Sequence, residues 1–183
     1  MKIENQRELP CSQAQAWAAL NDDTVLQACI PGCESLTRTA PDRLEAVVIA
    51  AIGPVRARFT GKLALSEINA PIGYKLAFEG QGGAAGFSKG TAEVRLSAVS
   101  DSSTQLHYEA TMQIGGKLAQ IGSRIVDAAA QKIIQEFFTR FEAQLTQLTL
   151  PTAAEAPAPV SISRWAQLCN WWRSLFAKPE ASG

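Results

Sequence analysis

The sequence predicts an α+β fold in which a curved antiparallel sheet of six to seven strands wraps around one long C-terminal helix. Three observations lead there. From Ser35 to Ile114 apolar and polar residues alternate, the period of half-buried antiparallel strands. From Lys117 to about Leu148 the spacing becomes three and four, the period of a helix. Ahead of both stands one short strand followed by two brief helices. Strand, short helices, strands in series and a terminal helix together describe a helix-grip.

The elements follow in order. Lys2 to Leu9 alternate weakly and form the first strand. Ser12 with Gln15 three residues later is a capping box, which starts a helix carrying Ala14, Trp17 and Ala18. Asp22 or Asp23 caps a second helical turn through Leu26, and Pro31-Gly32 turns the chain into the sheet. Leu44, Ala46, Val48, Ala50 and Ile52 alternate along one strand. After the turn at Gly53-Pro54, Val55, Ala57, Phe59, Gly61, Leu63 and Leu65 make the apolar face of the next. Three more strands carry Tyr74 to Phe78, Ala92 to Ala98 and Leu106 to Ile114, each with one apolar and one polar face, as in a sheet covered on one side. Gly115-Gly116 then breaks the pattern. The terminal helix from Lys117 carries a stripe through Leu118, Ile121, Ile125, Ala129, Ile133, Phe137, Phe141 and Leu145, and at 1.5 Å per residue spans on the order of 45 Å.

Composition narrows the function. The 183 residues hold 17 Lys+Arg against 17 Asp+Glu, so no basic field exists to drive nucleic-acid binding. His107 is the single histidine, which excludes multi-histidine metal sites, and it falls on the polar face of its strand with Gln105 and Glu109. The four cysteines, Cys11, Cys29, Cys33 and Cys169, have no C-x-x-C spacing and read as reduced thiols; Cys29 and Cys33 make poor zinc geometry. No metal site is expected. No secretory signal and no membrane-spanning run is visible, so the expected compartment is the cytoplasm.

The chain divides at a Pro/Ala-rich stretch. Residues 1–150 form the expected body, 151–160 a linker with three prolines, and 161–183 a tail. Three of the four tryptophans lie in that tail. On a helix from Ile162 to Lys178, the residues Ile162, Trp165, Leu168, Cys169, Trp172, Leu175 and Phe176 share one face with Trp171 at its edge, and Arg164 and Arg173 take the other. Such a helix is expected to lie in the headgroup region of the inner leaflet of the cytoplasmic membrane, with docking in a partner's groove as the alternative.

A bent sheet and a straight helix do not fit at every point, which predicts an apolar pocket between them. The candidate lining is Trp17, Leu63, Phe78, Phe87 and Met112 with Leu118, Ile121, Gly122 and Ile125 from the helix, and Ile30 and Pro31 at the mouth. The same residues would otherwise fill a dry core. The glycine-rich segment from Gly80 to Gly90 lacks the Gly-Lys-Ser/Thr of a phosphate loop and reads as a mobile hairpin or gate.

Over residues 1 to 148 the sequence resembles the G-subunit family of carbon monoxide dehydrogenase, within the START-like (SRPBCC) helix-grip superfamily. The resemblance rests on Trp17, Ile30-Pro31-Gly32-Cys33-Glu34, Ile52-Gly53-Pro54-Val55, Phe59-Thr60-Gly61, Gly80-Gln81-Gly82-Gly83, Gly116-Lys117-Leu118-Ala119 and Ile121-Gly122. It implies an accessory protein that recruits a molybdenum-containing hydroxylase of the CO dehydrogenase or xanthine dehydrogenase type to the membrane. It also implies a cavity for an apolar small molecule, an isoprenoid quinone or a lipid. Two other functions compete. A lipid-transfer module would need no hydroxylase. A cyclase-like enzyme would need inward acid or base groups, for which Tyr74, Tyr108 and Glu67 are the candidates.

Overall fold

A computed structural model describes residues 1–149; the expected linker and tail helix, with the candidate membrane-contact residues from Ile162 to Phe176, lie outside the described residues. Seven strands form one antiparallel sheet: β1 (Lys2–Leu9), β2 (Cys33–Ala40), β3 (Arg43–Ile52), β4 (Val55–Asn69), β5 (Gly73–Gln81), β6 (Phe87–Ser100) and β7 (Ser103–Gly115). Their order across the sheet is β1-β7-β6-β5-β4-β3-β2, so every neighbour from β2 to β7 is a hairpin and only β1 arrives from elsewhere in the chain. Helices α1 (Gln13–Leu20) and α2 (Asp23–Cys29) fill the connection from β1 to β2. After β7 come the single turn α3 (Lys117–Gln120) and the long α4 (Ser123–Thr149).

Local chemistry sets these boundaries. The Ser12 hydroxyl accepts from the Gln15 amide while the Gln15 side chain accepts from the Ser12 amide, the reciprocal cap that starts α1. Asp22 caps α2 by accepting from the amides of Thr24 at 2.8 Å and Val25 at 3.1 Å. Gly32 leaves α2 at φ +72°, and its carbonyl accepts from the Ile49 amide at 2.8 Å. A Cβ there would stand 2.1 Å from the Ile49 carbonyl oxygen, so only glycine lets this loop lie against β3.

The terminal helix corrects the expectation of one continuous rod from Lys117. Gly122 takes φ +92°, a left-handed conformation that interrupts the helix after one turn. Its carbonyl accepts from the amides of Ile125 and Val126 and opens α4 afresh. The break shifts the buried stripe: Leu118 stays buried at 2% exposure, but α4 buries Val126 in place of the expected Ile125, which is exposed. The 27 residues of α4 still reach about 40 Å, the length of the concave face.

One end of the sheet–helix sandwich is packed solid. Leu9, Cys11, Ala16, Leu96, Leu106, Phe141 and Leu145 form one cluster with no exposed member. Phe137 stacks on Phe141 at 5.7 Å between centroids, and Tyr108 on Phe138 at 5.4 Å. Arg7 also points inward from β1, where the alternation placed it with Ile3 and Leu9. Its guanidinium lies 4.9 Å from the Phe138 ring centroid, donates to the Gln135 side chain and pairs with Glu142 at 3.7 Å.

Candidate functional site: an apolar cavity between sheet and helix

Beyond that solid end the helix lifts off the sheet and leaves a cavity of about 370 Å³, within the size range of small-molecule sites. Cross-strand register explains its walls. Leu65, Leu76, Ala92 and Ala110 stand side by side on four adjacent strands, a row with two alanines where the helix would need large residues to touch. Next to it run Tyr74, Val94 and Tyr108. On the other side, Arg38, Leu44 and Leu63 continue the wall into β2. Ile133, Ile134, Phe137 and Phe138 of α4 roof it, and Leu26, Ile30 and Pro31 close the flank.

Ile30, Pro31 and Ile133 also line a second space, an outer groove of about 630 Å³ between β3 and α4. These three side chains therefore stand between the cavity and solvent and form its mouth. The groove carries the cations Arg124 and Lys132, and Ile49 and Ile125 on its flanks are 37% and 43% exposed. The cavity thus opens toward the start of α4 and is blind toward the Phe141 cluster.

Polar groups in the cavity are few: Arg38, Tyr74 and Tyr108, with no carboxylate and no imidazole among the described lining residues. Arg38 is already committed. Its Nε and Nη2 donate to the Asp23 carboxylate, the shortest contact at 2.6 Å, with further bonds to the Asn21 and Pro41 carbonyls. The Tyr108 hydroxyl bonds to the side chain of Asn5, its cross-strand partner. Burial pushes the Tyr74 phenol up to about 12, with the Arg38 charge pulling weakly the other way. Trp17 meets the Tyr74 ring edge-on at 5.8 Å and so stands behind the wall rather than in it.

The structure brings together part of the predicted lining. Ile30, Pro31 and Leu63 line the cavity, and Ile125 lies in the outer groove. Phe78 and Met112 face the concave side farther toward the open end, whereas the register puts Phe87 on the outer face with Lys89 and Thr91; none of the three lines either space. Phe78 lies back over β6, where a Cβ on Gly90 would be 2.8 Å from its ring; Phe87 lies over Gly115 in the same way and is 39% exposed. Leu118 is buried under the turn between β5 and β6, whose Ala85 is also buried, and Ile121 and Gly122 belong to the helix break. Glu67 is turned outward at the end of β4, paired with Lys75 at 2.7 Å, so it offers the cavity no acid or base. His107 sits on the outer face, 3.4 Å from Glu4.

Sequence reasoning named Tyr74 and Tyr108 as inward-facing groups but missed Arg38, Leu76, Ala110, Phe137 and Phe138 as lining residues. The alternation gives their face; only register and the position of the helix give their place along it.

A seven-stranded antiparallel sheet gripping a C-terminal helix over an apolar cavity defines a START-like helix-grip protein, and solved structures of that class superpose on the chain. A conserved protein from Geobacillus kaustophilus is 29% identical at a TM-score of 0.76, over 80% of this chain and 96% of that one. A START superfamily protein from Mycobacterium smegmatis is 15% identical at 0.64, over 81% and 99%. The Zhui aromatase/cyclase from Streptomyces sp. R1128 is 10% identical at 0.61, over 80% and 94%, a likeness of fold alone. Among curated proteins none matches in sequence. The family described as the G subunit of carbon monoxide dehydrogenase (CoxG) matches residues 6–146, and the chain belongs to that family.

Proposed function

We propose that this protein is a non-enzymatic carrier and recruiter. It holds a neutral apolar molecule, an isoprenoid quinone, in the cavity, and brings a molybdenum-containing hydroxylase of the CO dehydrogenase type to the inner face of the cytoplasmic membrane. The cavity carries this reading: its walls are aliphatic and aromatic, and its polar groups supply neither a nucleophile–base pair nor a general acid positioned by a carboxylate. Apolar walls favour a guest that leaves water, not a charged substrate. The family's name couples such proteins to carbon monoxide dehydrogenase. A quinone ring enters past Ile30, Pro31 and Ile133, and its chain lies along the groove toward Ile49 and Ile125.

The tail supplies the membrane contact in this account. Its three indoles, Trp165, Trp171 and Trp172, with Ile162, Leu168, Leu175 and Phe176, amount to a gross gain on the order of 10 kcal/mol on burial, before ordering costs. Among the described residues no helix is long and apolar enough to cross a membrane, so any attachment through them is peripheral.

Two measurements test the proposal together. Native mass spectrometry of the full chain, purified without detergent, is expected to show a quinone mass. Bound phospholipid would favour lipid transfer instead, and an empty cavity that takes up no added quinone would refute the carrier. Co-sedimentation with anionic vesicles is expected for the full chain and not for the triple variant Trp165→Ala, Trp171→Ala, Trp172→Ala; equal sedimentation of both would remove the tail from the account.

A further inference from the structure

The three polar residues in the cavity wall are not equivalent. Tyr108 engages Asn5 through its hydroxyl, and Arg38 commits four of its five donors to Asp23, Asn21 and Pro41. Tyr74 is only 9% exposed, lines the cavity, and its hydroxyl has no hydrogen-bond partner among the described residues. The hydroxyl is not sealed off: among the described residues the buried side-chain atom left without a partner is Arg7 Nε, so the Tyr74 hydroxyl keeps accessible surface at which an acceptor can reach it. Its place adds to the point. Tyr74 lies in the row with Val94 and Tyr108, adjoining the solid Leu96–Leu106 end, whereas the mouth opens at the start of α4. A molecule that enters through the mouth meets Tyr74 with its leading end.

We propose that the Tyr74 hydroxyl is the donor that fixes the ligand, so the guest is a neutral apolar molecule whose buried end carries a hydrogen-bond-accepting oxygen such as a ring carbonyl. This deepens the carrier reading above and rests on it. The neutrality follows from the surroundings. The Arg38 charge is matched by the Asp23 carboxylate at 2.6 Å, so the pair leaves no net positive charge to hold a fatty-acid anion. The phenol, held well above its ordinary range, stays protonated and donates across the physiological range. The edge-on contact with Trp17 holds the ring in place.

The test uses the full chain and Tyr74→Phe with three probes: a decyl-substituted benzoquinone, decylbenzene as its oxygen-free counterpart, and decanoate. The replacement keeps the ring and the Trp17 contact. Because the hydroxyl it removes makes no bond to the described residues, the denaturation midpoint is expected to be unchanged, whereas loss of a structural hydroxyl would lower it. Loss of one neutral hydrogen bond is expected to weaken the quinone by about tenfold and leave decylbenzene within about twofold. Wild-type binding should fall in the order quinone, decylbenzene, decanoate.

Equal affinity of Tyr74→Phe and wild type for the quinone would overturn the inference while leaving the cavity a binding site. So would an equal loss for quinone and hydrocarbon, or decanoate binding tighter than the quinone. If none of the probes binds the wild-type chain, the carrier reading itself falls and the inference falls with it.

Discussion

Ala92→Leu asks whether the interior is hollow by asking for the sign of a stability change. Ala92 sits at the centre of the cavity floor, between Leu76 on one neighbouring strand and Ala110 on the other. The substitution projects three further carbons into a space of about 370 Å³. Burying them is worth about 0.8 kcal/mol each, from which the ordering of a leucine side chain takes about 0.5–1 kcal/mol. The expected outcome is therefore a gain of about 1–2 kcal/mol. In a packed interior the same carbons would force off-rotamer side chains and cost about 1–3 kcal/mol. The two cases differ in sign, which urea denaturation of the ligand-free protein reads as a shift of the midpoint at constant slope. At about 2–4 °C per kcal/mol for a chain of this size, a thermal scan resolves it as well. A clear loss of stability would refute the hollow interior. Quinone binding should weaken in parallel, since the new side chain occupies the guest's place.

Further outcomes follow from the same geometry. Gly32→Ala places a Cβ against the Ile49 carbonyl in a left-handed conformation, and should destabilise by about 2 kcal/mol or more in chemical denaturation, with the mouth displaced. Asp23→Ala strips the partly buried Arg38 of its carboxylate and should cost about 1–3 kcal/mol by the same assay. The chain has two tyrosines, so alkaline ultraviolet titration resolves them: one tyrosinate should appear only near pH 12, and it should be missing in Tyr74→Phe. Because the folded phenol sits above its ordinary 10, its contribution is fully present below pH 10 and is lost as pH rises. Wild type should therefore lose about 2–3 kcal/mol more than Tyr74→Phe between pH 10 and 12. Burial also pushes the thiols of Cys11, Cys29 and Cys33 up, so at neutral pH iodoacetamide should leave the fully buried Cys11 and Cys29 untouched in native protein.

Much of the architecture was legible in local chemistry. The Ser12–Gln15 box, the Asp22 cap and the Gly53-Pro54 turn each state a boundary within a few residues, and strict alternation in β3 and β4 states which face is inward. The break at Gly122 was not legible. The apolar spacing continues across it, and one glycine in a helical run reads as a tolerated residue rather than a stop.

The site was legible only in outline, for a related reason. A period of two tells which face a residue takes but not how far along the strand the helix lies. Leu63 and Phe78 are cross-strand partners on the same face, yet Leu63 lines the cavity and the Phe78 ring lies over Gly90 instead. Phe137 and Phe138 carry the helical signal as strongly as Leu118 and Ile121 do; only the position of α4 over the Leu76–Ala92–Ala110 row selects them. Arg38 was hidden because nothing in the order of residues signals that Asp23, fifteen positions earlier, reaches back to neutralise it.

A carrier of this kind needs an interior that admits an apolar guest at one place. Xenon-pressurised crystals address that requirement directly, since dry apolar cavities take up xenon. The expected result is an anomalous peak, or the density of a retained guest displacing it, between Ala92 on the sheet and Phe137 on α4. Side chains closed over that space, with neither xenon nor guest in it, would contradict the hollow interior and the carrier with it.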